Sequence, residues 1–141
     1  MKLKTLFIML IATTIIGCNS ILDGSKVVGT YQHNISRNMG GFKISATTEL
    51  TIRKVNPSYY RYQMSVTTID EMYGGTPKKK NYSGNLNSEK IENHEWKFVG
   101  GDLGERGAYI KVPGNGWTSP PSNIAVYFSP GRGNSMDFKR Y

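Results

Sequence analysis

Cysteine is nearly missing: Cys18 is the only one in 141 residues, so the chain can form neither an internal disulfide nor a thiolate metal cluster. Long apolar runs are missing too. The longest, Leu6 to Ile16, is interrupted by Thr13 and Thr14 and falls short of the roughly 20 residues that a spanning helix needs. From Val27 onward no segment sustains the i, i+3, i+4 spacing of a long amphipathic helix, which removes helical bundles from consideration.

Catalytic signatures are equally scarce. There is no Gly-x-Ser-x-Gly elbow and no Cys/His pair, and Gly131-Arg132-Gly133 lacks the following helix that a phosphate loop requires. Asp70 and Glu71 are adjacent, whereas a glycosidase needs its two carboxylates about 5–10 Å apart across a cleft. Glu92 and His94 would share one face of a strand, but two ligands do not make a metal site and His33 is remote in sequence. We expect a protein without catalytic activity, metal or cofactor.

Acidic residues are few, ten against eighteen Lys and Arg, for a formal net charge of +8. Two of the positives, Lys2 and Lys4, sit in the leader described below. The rest are scattered except at Lys78, Lys79 and Lys80, a distribution unlike the dense patch of a nucleic-acid binder. No nucleic acid is expected as partner. Anionic lipid headgroups or envelope glycans fit better as partners, and the plainer reading of the charge is a solvated surface that keeps the protein soluble.

What is present begins with a leader. Lys2 and Lys4 form a positive n-region, Leu6 to Ile16 an apolar h-region, and Gly17 a small residue before a cut. Ile15-Ile16-Gly17-Cys18 resembles the lipobox of bacterial lipoproteins, with Ile15 where Leu is commoner. That resemblance implies cleavage before Cys18, acylation of its thiol and anchoring at an envelope membrane. It divides the chain into a signal peptide (1–17), a lipidated tether (18–26) and one domain (27–141). Asn19 is not the Asp that retains lipoproteins at the inner membrane of enteric bacteria, so the outer membrane is favoured.

In the domain, apolar residues recur every second position, the period of strands. Leu50 and Ile52 alternate with Glu49, Thr51 and Arg53; Tyr60, Tyr62, Met64 and Val66 follow a turn at Asn56-Pro57-Ser58. Asn81–Leu86 and Ile91–Val99 flank a polar turn expected at 87–90, and Gly100-Gly101-Asp102 ends that hairpin. Ala108–Val112, the alternation of Ile124, Val126 and Phe128, and that of Met136, Phe138 and Arg140 supply three more strands. With Val27–His33 and a weaker stretch at 42–46, the count is about eight. Short connections make this an all-β antiparallel meander, which can close into a small barrel. A two-sheet sandwich fits the same pattern.

Gly29-Thr30-Tyr31 lies in the first strand and Phe138-Lys139-Arg140 ends the last. This placement resembles the lipocalin-like group of calycin barrels, whose first strand carries Gly-x-Trp and whose last supplies an Arg over that ring; Tyr31 stands where Trp is usual. The resemblance implies an eight-stranded barrel that binds small apolar ligands, with Gly29, Tyr31 and Arg140 closing it. Candidate lining residues for a small apolar or amphipathic ligand are Tyr60, Tyr62, Trp96, Phe98 and Phe128, each of which could equally be plain core. Trp117, in a Gly- and Pro-rich loop, could cap such a pocket, meet a partner or fold back on the barrel. The alternative function is a protein-interaction subunit or inhibitor that works through exposed loops.

Overall fold

The computed structural model describes residues 25–56, 59–90, 95–112, 119–128 and 135–141, without the side chains of 88–90. Eight strands, β1 (Gly29–Met39), β2 (Phe42–Asn56), β3 (Tyr59–Asp70), β4 (Lys78–Lys90), β5 (Glu95–Val99), β6 (Tyr109–Lys111), β7 (Asn123–Tyr127) and β8 (Met136–Arg140), close in sequence order. Every pairing is antiparallel. The barrel reading therefore holds and the sandwich is excluded. A 3-10 turn at Ser25–Val27 lies under one end, and one short helix, α1 (Gly101–Glu105), joins β5 to β6.

The in–out alternation of the sequence builds the core. Tyr31, Leu50, Ile52, Tyr60, Tyr62, Met64, Leu86, Trp96, Phe98, Ile110, Ile124, Val126 and Phe138 all point inward and are buried. Each fully buried aliphatic or aromatic side chain contributes about 1.5–3 kcal/mol of transfer free energy. Leu103 of α1 and Ala108 add to the core from the β5–β6 connection, and Val27 adds to it from the opposite end. Among the described residues the buried apolar side chains all fall between Val27 and Phe138, and the barrel closes on itself within Gly29–Arg140, so residues 25–141 carry what the barrel needs to fold.

Gly84 is what lets the largest side chains fit. A Cβ there would stand 2.7 Å from the Gly100 carbonyl oxygen and 2.8 Å from Cε1 of Tyr62. In that space the Tyr62 ring crosses β4, its edge meeting the Phe98 ring at 4.6 Å and 90°, and its hydroxyl donates to the Gly100 carbonyl at 3.4 Å.

Two sequence expectations need correction. The polar stretch 87–90 is not a turn: β4 runs through it, with Asn87, Ser88 and Lys90 opposite Lys97, Trp96 and Glu95 and a register shift between Ser88 and Lys90. Ladder bonds come from the backbone, so a polar stretch can extend a strand where its side chains meet water. The first four strands are also longer than the apolar alternation indicates. β1 and β2 form an uninterrupted ladder from Gly29↔Ile52 to Met39↔Phe42, turning at Gly40 (φ 60°) and Gly41 (φ 89°).

This length sets the shape. β5 to β8 span three to five residues each, whereas β1 to β4 span eleven to fifteen. β8 pairs with β1 only at Tyr31↔Arg140 and Gln32↔Lys139, and β5 pairs with β4 only from Asn85 onward. Beyond those points β1–β4 continue as a four-stranded extension that, among the described residues, is a single layer with two unpaired edges, His33–Met39 and Lys78–Ser83. From Gly29 to Met39 is about 33 Å at 3.3 Å per residue.

Candidate functional site

At the closed end, Arg140 gathers the chain termini of the barrel. Its Nη2 donates to the Val28 carbonyl at 2.8 Å, and its Nη1 donates to the Tyr31 hydroxyl at 3.2 Å and the Lys26 carbonyl at 3.4 Å. The Tyr31 hydroxyl in turn donates to the Val27 carbonyl at 2.8 Å. Cζ lies 5.6 Å from the Tyr31 ring centroid, near the outer limit of about 6 Å for a cation–π contact. With Tyr in place of Trp, the guanidinium engages the ring's hydroxyl as much as its face. Burial pushes the Tyr31 phenol above its ordinary pKa, and Arg140 offsets part of that rise. Gly29 leaves room for the guanidinium, whose Nη2 would stand 2.8 Å from a Cβ there. The structure brings Gly29, Tyr31 and Arg140, named from the sequence, together at this end.

One step further along the seam, the backbone ladder stops and a side chain takes over. His33 Nδ1 lies 2.8 Å from the Asp137 carbonyl oxygen. A carbonyl only accepts, so Nδ1 carries the proton. The His33 ring packs on Phe138 with centroids 5.4 Å apart.

The aromatics named as ligand-lining candidates are also brought together, but as packing. Tyr60, Tyr62, Trp96 and Phe98 are each at most 3% exposed. The gap bounded by Val27, Ile52, Tyr60, Leu86, Trp96 and Ile110 has no room for a water molecule. Burial raises the Tyr62 phenol above its usual pKa, and the nearby Asp102 carboxylate raises it further. Phe128, expected inside, lies just past the end of β7 and is half-buried against the core. Trp117, Cys18, Glu92 and His94 lie outside the described residues. Among those described, no group of three His, Cys, Asp or Glu side chains is placed to hold a metal.

Comparison of the chain with protein-family models, curated proteins and solved structures gives no match.

The feature that sequence reasoning missed is the inner face of the extension. Counting outward from the buried rung Tyr31–Leu50–Met64, the inward rungs are His33–Thr48–Val66–Lys80, then Ile35–Ala46–Thr68–Lys78, then Arg37–Ile44–Asp70, then Met39–Phe42. Burial falls off along this series: Thr48 is 8% exposed, Phe42 44% and Met39 62%. An apolar stripe (Ile35, Ile44, Ala46, Val66) is thus bordered by Arg37, Lys78 and Lys80. The opposite face, with Ser36, Ser45, Thr47 and Thr67, is polar apart from Ile69, and it runs down into a shallow depression on the barrel's outer wall lined by Glu49, Thr51, Gln63, Ser65, Asn81 and Ser83. The Met39-Gly40-Gly41-Phe42 segment, two glycines between apolar residues, is a hairpin signal that would have extended the first two strands to the tip.

Proposed function

We propose that this chain is a lipid-anchored, non-catalytic module of the bacterial envelope that works by surface contact through the β1–β4 extension. The observation that carries this reading is the pairing of a filled barrel with an uncovered extension. Small-molecule sites are concave and bury most of their ligand, and the gap among Val27, Ile52, Tyr60, Leu86, Trp96 and Ile110 in the described interior is too small even for water. A single sheet layer with an apolar stripe on one face and two unpaired edges is a surface that another body completes. This favours the interaction reading over a small apolar ligand held inside a lipocalin-like barrel. The leader and the Ile15-Ile16-Gly17-Cys18 motif support the lipid anchor and an envelope location, with the outer membrane the favoured destination. The arrangement of Gly29, Tyr31 and Arg140 supports kinship with the lipocalin-like barrels.

A photo-crosslinking amino acid placed at Phe42 should give an adduct in cells of the source organism, and one at Gln63, on the outer wall of the barrel, should not. Absence of an adduct at Phe42, together with a small molecule retained in the native mass spectrum of the protein purified from that source, would return the ligand to the barrel mouth.

A further inference from the structure

Of the eight large hydrophobic side chains exposed among the described residues, Val55, Val99 and Tyr141 lie elsewhere and Ile69 is on the outer face of β3, while the other four, Met39 (62% exposed), Phe42 (44%), Met72 (60%) and Tyr73 (74%), gather at the far end of the extension. They sit on two neighbouring connections, the β1–β2 hairpin and the 3-10 turn Glu71–Tyr73 that follows β3. These connections are tied together, since Glu71 Oε2 accepts from the Lys43 backbone N–H at 2.9 Å. Asp70 caps the turn by accepting from the Met72 N–H at 3.0 Å, and the Gly75 N–H closes it on the Asp70 carbonyl at 2.9 Å. Met72 and Tyr73 are therefore held outward.

The charge around this tip is one-sided. Arg37 and Lys43 lie beside it and Lys78, Lys79 and Lys80 two to three rungs behind it, against Asp70 and Glu71, and both carboxylates are already engaged by backbone donors. None of the five cations is paired with a carboxylate among the described residues. Apolar side chains at the apex with unpaired cations behind them match the layering of an anionic bilayer, in which acyl chains lie beneath phosphate headgroups. An acidic protein would match the cations but leave four apolar side chains at the apex without a stated partner.

We propose that the tip formed by Met39, Phe42, Met72 and Tyr73 inserts into the headgroup region of an anionic lipid bilayer, with Arg37, Lys43 and Lys78–Lys80 contacting lipid phosphates. This deepens the surface-contact reading and rests on it. The barrel end that carries Ser25 and the tip are then two separate attachments. Seven residues lead from Cys18 to Ser25, a reach of at most about 25 Å, so both attachments meet one bilayer when the barrel lies along it rather than standing on it.

The test is co-sedimentation of residues 25–141, which lack Cys18, with vesicles of phosphatidylcholine alone or mixed equally with phosphatidylglycerol. Binding should require phosphatidylglycerol, weaken as salt is raised, and fall at least about tenfold in Met72→Asp/Tyr73→Asp and in Lys78→Glu/Lys80→Glu. These positions are exposed, so circular dichroism of the variants should stay that of the parent. No binding to the anionic vesicles, or binding that both variants retain, would overturn the bilayer. If vesicles fail while Phe42 still crosslinks to a protein in cells, the surface-contact reading stands and the lipid assignment falls; vesicle binding without any Phe42 adduct in cells would defeat the surface-contact reading instead.

Discussion

Apart from backbone strain, replacing Gly29 by alanine should harm the protein only through Arg140. The three heavy atoms nearest an added Cβ all belong to that guanidinium, at 2.8, 3.0 and 3.3 Å. A guanidinium can swing away, and the greatest steric cost of Gly29→Ala is then what the guanidinium contributes where it sits. That contribution is modest, because Arg140 is exposed and the carbonyls it leaves can turn to water. Two charge-assisted bonds, to Val28 and Tyr31, are worth about 0.5–1 kcal/mol each in this setting, and the distant ring contact about 0.5 kcal/mol or less. Arg140→Ala should therefore cost about 1–2 kcal/mol. Gly29→Ala should cost the same, plus about 1 kcal/mol for an alanine at φ 156°, a strain common to both backgrounds. In the double variant the steric term has nothing left to act on, and the cycle should show a coupling of about 1–2 kcal/mol. Urea unfolding of residues 25–141 gives the four stabilities, provided the m-values agree. A coupling below about 0.5 kcal/mol, or a Gly29→Ala cost that persists undiminished without Arg140, would refute the argument.

Both buried tyrosines, Tyr31 and Tyr62, have phenols raised above the ordinary value, chiefly by desolvation. Their neutral forms favour the fold fully below the unfolded-state pKa of about 10, and that stability is lost as pH climbs through the higher folded values. Urea midpoints should drop above about pH 10 in the parent and drop less in Tyr31→Phe/Tyr62→Phe; an equal drop in both would remove the phenols as its cause. At the other end of the chain, labelled palmitate should enter the parent protein and not Cys18→Ser, and label in the variant would end the lipoprotein assignment.

How much of this was legible beforehand depends on where water lies. The core strands announce themselves because one face is buried: Leu50 and Ile52, or Trp96 and Phe98, alternate with residues that face out. Closure was legible because Gly29, Tyr31 and Arg140 form a spatial motif whose members sit at the two ends of the barrel sequence. The extension was not, because water reaches both its faces. Ser45-Ala46-Thr47-Thr48 carries no contrast between its two faces, and Lys78-Lys79-Lys80-Asn81 is polar throughout, since an edge strand held by one neighbour needs no apolar face. Lysines on that edge also discourage pairing with a second copy. The candidate ligand residues meet a related limit: a buried aromatic looks the same in sequence whether it lines a cavity or fills one, and the tight packing around Tyr60 and Trp96 is visible only in the structure.

The unequal strand lengths also divide the molecule by how freely its sequence can drift. Below the Tyr31–Leu50–Met64 rung nearly every inward position is locked by its neighbours, and a change at Gly84 or Tyr62 disturbs several at once. Above it, Met39, Phe42, Met72 and Tyr73 are exposed, so substitutions there should leave the fold intact while changing the surface of the tip. A lineage could exchange its partner by rewriting two loops and never pass through an unstable intermediate. Descendants of one such barrel would then share Gly29, Tyr31 and Arg140 and differ most at the tip of the extension.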